Sequence, residues 1–287
     1  MQQIIGFIYV LLAGVCFGFL GVFGKIAFQN DLNVGELLTY RFALAAIILW
    51  VGLFIFKKDL IRLSLRQIVI SLLLGAFGYA LFSTLYFMSI KGISVALAAL
   101  LLFTFPIFVS LGAHFILKDK MSRLQTLSLV LACVGLTIVL WGPIVVHSLH
   151  AVLYALFAAV AYAIYVLVSG RLQQGVKPLS SSLYVISAAA IALYLWHQPS
   201  MSKLAHLTAK QLIVVMGLAV VCTVFPLTLF LAGLQKMKSA QASIVVMIEP
   251  VVATLAAWYI LNETLSSLQL VGSGLVIFAL FLNTQKQ

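Results

Sequence analysis

The sequence predicts an all-α polytopic membrane protein, with ten transmembrane helices arranged as two inverted five-helix repeats. Three observations carry that expectation. Of the 287 residues, 64% are apolar and only 8% are charged, against about a quarter charged in an ordinary soluble domain, and the mean hydropathy is +1.21. The apolar residues gather into ten runs, most of about the 20 residues that cross a bilayer. The chain also aligns with itself, without a gap, at an offset of 144 residues. These features exclude a soluble globular enzyme. They also leave no loop long enough for a folded domain of even about 50 residues, so there is no room for an attached ATPase module.

The runs occupy residues 4–28, 34–56, 67–90, 94–117 and 124–141 in the first half, and 149–169, 180–196, 211–234, 240–261 and 265–283 in the second. The first has no Lys or Arg ahead of it and is too long for a signal-peptide core, so it reads as a span. Leu12 to Cys16 nearly spell a lipoprotein cleavage site, but Val15 spoils the spacing. The seventh run is the weakest, diluted by Ser180, Ser181, Ser182 and Ser187. Cys16, Cys133 and Cys222 lie inside apolar runs without disulfide or zinc spacing and read as packing residues.

Seventeen Lys and Arg against six acidic residues give a net charge of +11. In a membrane protein that excess is a topology signal rather than a nucleic-acid footprint. With the N-terminus inside, the inner side holds Lys57, Lys58, Arg62, Arg66, Lys118, Lys120, Arg123, Arg171, Lys177, Lys236, Lys238 and Lys286. The outer side holds Lys25, Lys91, Lys203 and Lys210, and Arg41 lies within a span. Twelve against four places both termini in the cytoplasm.

At the 144-residue offset Pro106 falls on Pro250, Thr84 on Thr228, and Phe115 to Asp119 on Tyr259 to Glu263. Ser122, Leu124 and Gln125 meet Ser266, Leu268 and Gln269, and Tyr40 meets Tyr184. Polar and proline matches in one register point to a duplication, with repeats at 1–143 and 144–287. Each repeat holds five spans, an odd number, so the second enters the membrane upside down. Such halves suit a site at their interface that opens to either side. Pro106 and Pro250 each remove a backbone donor near mid-membrane and are expected to be helix hinges.

These residues resemble the EamA-type members of the drug/metabolite transporter superfamily. The resemblance is carried by Ile248, Glu249, Pro250 and Val251, by Trp258 to Leu265 with Asn262, Glu263 and Thr264, and by Leu270, Val271, Gly272 and Gly274. The first-half copy runs from Phe105, Pro106 and Ile107 through Leu117, Asp119 and Leu129 to Gly135. Two departures stand out: Asp119 replaces the family's usual Glu, and Phe105 precedes the first proline where a carboxylate is absent. The resemblance implies ten helices in two inverted halves, a central cavity lined by the first, third and fourth helices of each half, and export of small metabolites.

A charge at mid-bilayer costs about 2.5–3.5 kcal/mol on insertion scales, so charges inside spans are functional candidates. Glu249 lies nine residues into its span and Arg41 seven residues into the second. Their repeat partners are Phe105 and Val185, so neither charge belongs to the duplicated scaffold. Facing one cavity, the pair would match the ammonium and carboxylate of a zwitterion; alone there, Glu249 would serve as a proton carrier. The structural alternatives are an ion pair between the two or bonding to helix backbone for Glu249, and for Arg41 snorkelling outward or neutralising Glu36, which lies about 140° away around the helix. Tyr79, Ser83 and Tyr86 share one helix face and, with Thr104 and Phe105, are candidate lining residues. Thr223, Phe225 and Thr228 are their second-half counterparts. Gly14, Gly18 and Gly21 form a smooth face suited to close helix packing.

Catalytic readings find little support. His114 and Asp119 have the spacing of an acyltransferase pair, but the repeat copy carries Trp258 and Glu263. No Gly-rich loop followed by Lys and Ser or Thr is present, and His147, His150, His197 and His206 lack metal spacing. No metal, cofactor or catalytic residue is expected. The expected function is export of small metabolites, amino acids or related amines, by alternating access in the inner (cytoplasmic) membrane. A proton-coupled exporter of cationic drugs is the closer alternative, and an integral membrane sensor or enzyme the more distant. The expected partners are a small-molecule substrate and the lipid bilayer, not nucleic acid; a homodimer is left open.

Overall fold

The computed structural model describes residues 2–119, 121–142 and 146–284. The expected repeat boundary at 143/144 and the inner-side Lys120 and Lys286 lie outside the described residues. Among the described residues, nine helices are long and apolar enough to cross a membrane. They are α1 (Gln2–Phe28), α2 (Val34–Phe56), α3 (Leu65–Ile90), α4 (Val95–Phe115), α6 (Leu149–Leu172), α7 (Pro178–His197), α8 (Ala209–Leu234), α9 (Ser239–Leu261) and α10 (Ser267–Thr284). Between α4 and α6 runs the apolar α5 (Arg123–Val139), of 17 residues. All ten expected runs are therefore helices, and the chain is a multi-pass membrane protein.

The helix starts are written twice. Ser64 and Gln67 form a reciprocal capping box at the start of α3, and Thr208 and Gln211 do the same for α8, 144 residues later. Ser122 with Gln125 opens α5, and Ser266 with Gln269 opens α10. Each box satisfies two backbone donors that a helix N-terminus leaves free.

Packing repeats the duplication. α5 and α10 lie against each other at Gly135 and Gly272, where a Cβ on Gly272 would stand 2.7 Å from the Gly135 carbonyl oxygen. Adding 144 to one number and subtracting it from the other converts that contact into Ala279 against Ser128, and the Ser128 hydroxyl indeed donates to the Ala279 carbonyl at 2.5 Å. A pseudo-two-fold axis thus passes between these helices. The equivalent tyrosines act alike: Tyr40 donates to the Ser200 carbonyl beyond α7, and Tyr184 to the Ile61 carbonyl beyond α2.

The serines that weaken the seventh run face inward. Ser180, Ser181 and Ser182 are buried; Ser181 donates to Gln173, whose amide reaches Ser71 on α3, and Ser182 accepts from Thr228 on α8. Polar groups in lipid need internal partners, and Ser181 and Ser182 find theirs this way.

Both repeats also break their helices at matching places. α4 is interrupted at Phe103 and Thr104, and α9 narrows to a 3-10 turn at Val246–Ile248, each just before its proline. α3 widens to a π-helix at Leu74–Ala80 and α8 at Val220–Val224. Such π-segments recur at functional sites.

Candidate functional site

A cavity of about 720 Å³ opens at the end of the bundle that carries Lys25, Lys91 and Glu263. Its walls come from α1 (Phe17, Gly18, Gly21), α2 (Arg41), α3 (Tyr79, Phe82, Ser83, Tyr86), α4 (Phe103, Phe105), α6 (Tyr162) and α9 (Glu249, Pro250, Thr254). The aromatic wall is continuous: Tyr162 lies 4.4 Å from Phe105 and 4.5 Å from Phe82, centroid to centroid, and Phe82 lies 4.9 Å from Tyr79. Edge-to-face and tilted contacts of this kind hold the rings in place.

Arg41 is 3% exposed, and its Nε and Nη1 have no hydrogen-bond partner. Its guanidinium lies 4.7 Å from the Phe42 ring centroid. Among the described residues no carboxylate comes within 4.0 Å of it. Arg41 thus forms an ion pair with neither Glu36 nor Glu249 in this conformation, and at 3% exposure it does not snorkel outward. Glu36 is already engaged, accepting from the Asn33 backbone and pairing with Lys203 at 2.9 Å, and Glu249 lines the same cavity.

Glu249 sits where the 3-10 turn of α9 gives way to the helix Glu249–Leu261. A carboxylate in a helix's first turn is favoured by the free amides and the macrodipole. Gly18 lets α1 approach this break, because a Cβ there would stand 2.9 Å from the Glu249 carbonyl oxygen. One turn earlier, a Cβ on Gly14 would meet the Ile248 side chain at 2.5 Å. The glycine face therefore packs against the break in α9 at Gly14 and Gly18, while Gly21 opens on the lumen.

Of the residues expected to form the site, the cavity brings together Arg41, Tyr79, Ser83, Tyr86, Phe105, Glu249 and Pro250. It does not include Thr104, Pro106, Thr223, Phe225 or Thr228. Thr104 turns its hydroxyl back to the Leu101 carbonyl, and Pro106 is buried in the helix it begins. Thr223 donates to the Leu218 carbonyl at 2.9 Å within the π-helix, Thr228 donates to Ser182, and Phe225 is exposed on the outside of the bundle. Of the helices expected to line the cavity, the first, third and fourth of each half, all do so except the third of the second half, α8. α8 packs against α1, α2 and α7, and α2 lines the cavity where α8 was expected. Tyr162 was absent from the sequence-based candidates; its repeat partner, Gly18, lines the same cavity and is the available signal for it. Among the described residues no group of three or more His, Cys, Asp or Glu could hold a metal.

A model of the EamA-like transporter family matches residues 4–141 and again residues 149–285. The chain is 27% identical over 285 residues to YcbK, an uncharacterized transporter of Bacillus subtilis (strain 168), covering 96% of this chain and 91% of that one. It is 22% identical over 291 residues to an uncharacterized transporter of Clostridium kluyveri, covering 97% and 92%. A further such relative, from Archaeoglobus fulgidus, is 26% identical over 204 residues and covers 70% and 72%. A solved crystal structure superposes with a TM-score of 0.81 at 16% identity, covering 99% and 96% of the two chains. That last likeness is one of fold alone.

Proposed function

Because the chain belongs to the EamA-like transporter family, its central cavity is read as that of a transporter, and we propose that it exports small metabolites by alternating access, zwitterionic amino acids foremost and related amines beside them. One observation carries the reading: Arg41 and Glu249 line the same cavity without pairing, and two Arg41 donors lack any partner. An unpaired buried charge is expensive, and removing a partner from a buried pair typically costs about 3–5 kcal/mol. A ligand that brings a carboxylate to Arg41 and an ammonium to Glu249 offsets that cost on both sides. The protein sits in the inner membrane with both termini cytoplasmic, so the cavity in this conformation faces outward. The duplicated, inverted halves supply the opposite state.

The test is flux in proteoliposomes against a panel of amino acids and amines, with and without a pH gradient. Glu249→Gln and Arg41→Gln are each expected to lower amino-acid flux by at least about 100-fold, or roughly 2.7 kcal/mol of lost stabilisation. Wild-type rates with unchanged pH dependence in Glu249→Gln would exclude both a binding and a coupling role. A second reading, proton-coupled export of cationic drugs, draws on the aromatic wall of the cavity. It predicts flux driven by a pH gradient and indifferent to Arg41→Gln.

A further inference from the structure

At the end of the bundle opposite the cavity mouth lies a second pocket, of about 440 Å³, lined among others by Asp119, Arg171, Gln235, Lys236, Lys238 and Ser239. Four of its residues are the 144-offset counterparts of residues at the open cavity. Asp119, Leu234, Gln235 and Ser239 correspond to Glu263, Ile90, Lys91 and Val95. Equivalent pieces of the two repeats thus build one opening at each end. Only one of them reaches the centre.

The seal between this pocket and Glu249 is the first segment of α9. Ser239 lines the pocket and Glu249 the cavity, and every residue from Ala242 to Ile248 between them is buried. A Cβ on Gly170 would fall 2.2 Å from the Ser239 hydroxyl oxygen. The end of α6 is therefore closed directly onto the start of α9.

The two openings differ in charge. At the open mouth Lys25 is paired with Glu263, which leaves Lys91. In the closed pocket Lys238 lies 3.9 Å from Asp119. Arg171 and Lys236 have no carboxylate within 4.0 Å among the described residues. The neighbouring amides are occupied, with Gln174 donating to the Gly170 and Leu234 carbonyls and Gln235 to those of Gln173 and Val176. Among the described residues, the cations of this pocket left without an acidic partner are therefore Arg171 and Lys236. A concave wall of one sign concentrates the opposite charge and speeds encounter.

Resting on the zwitterion reading above, we propose that this pocket is the inner vestibule of the transport path, closed in this conformation, where Arg171 and Lys236 recruit the substrate by its carboxylate. Substrate is taken up there and passed to Arg41 once the start of α9 swings away from α6. The mouth, with a single free lysine, holds the same carboxylate less well, which favours release on that side.

The experiment uses oriented proteoliposomes and, as probe, the α-amino acid that the wild type moves fastest from a panel of twenty. In the double variant Arg171→Gln/Lys236→Gln, the KM measured from the inner face is expected to rise about five- to tenfold at low salt, with kcat and the outer-face KM unchanged. The difference should shrink toward nothing near 1 M salt, where the screening length is about 3 Å. Lys91→Gln is expected to move only the outer-face KM. An unchanged inner KM, or an equal rise on both faces, would overturn the vestibule. If the wild type moved no amino acid at all while moving amines, the zwitterion reading would fall first and this proposal with it.

Discussion

α4 and α9 stand at equivalent places in the two repeats, and both break just before an equivalent proline, yet their first segments live in opposite surroundings. In α4, Val95, Ala96, Ala99 and Leu102 border the open cavity. In α9 the counterparts Ser239, Ala240, Ser243 and Val246 are buried. Ala99 and Ser243 make the contrast sharpest, since one lines the lumen and the other is 0% exposed. Two nearly interchangeable half-helices, one acting as wall and one as plug, are what an inverted repeat supplies when only one end can be open. The second contrast does not depend on which end is open: past the break α9 carries Glu249 and α4 carries Phe105. Architecture is shared between the repeats; the charge chemistry is not.

The largest expected effect comes from erasing that second contrast. Phe105 is 0% exposed and lies against Tyr162, so Phe105→Glu places a carboxylate in a buried aromatic contact. A loss of about 3–5 kcal/mol is expected, seen as a collapse of folded yield in detergent. Glu249→Gln should fold at wild-type yield. Equal yields of the two variants would mean that the repeats do not differ at this position in the way described.

A middling effect is expected at the seam the two repeats share. Gly272→Leu puts side-chain atoms into the Gly135 carbonyl, and overpacking of this kind costs about 1–3 kcal/mol, read as a lower Tm. Gly274→Leu, with nothing within 4 Å of its Cβ position, should leave Tm within a degree or two. The smallest effect belongs to the exposed pair at the mouth. Lys25 and Glu263 are 48% and 45% exposed, and Lys25→Gln should change stability by less than about 1 kcal/mol.

Most of the fold could be read from the sequence because bilayer length and the self-alignment are properties of the chain itself. The ten runs and the paired prolines all reappear as helices and breaks. The site was legible where charge scarcity marked it, at Arg41 and Glu249, and where the α3 face carries Tyr79, Ser83 and Tyr86. It was not legible in the second half. Thr223 and Thr228 sit at depths matching Tyr79 and Thr84, but in this structure α3 and not its equivalent α8 meets the lumen, and a duplicated sequence does not encode that choice. The π-helices of α3 and α8 were equally silent: α3 has Gly75 and Gly78 against α7 and α6, whereas α8 reaches the same geometry through Val220–Val224 without a glycine.

The most direct test compares the two half-helices by thiol labelling. In a background lacking Cys16, Cys133 and Cys222, Ala99→Cys and Ser243→Cys are treated with a membrane-impermeant reagent from either face, with and without an opposing substrate gradient. Ala99→Cys is expected to react from the outer face when the cavity is open outward. Ser243→Cys should react only from the inner face, and only as Ala99→Cys becomes protected. If both positions react together from one face, or if Ser243→Cys stays unreactive under every gradient that sustains flux, the exchange of wall and plug between α4 and α9 does not occur.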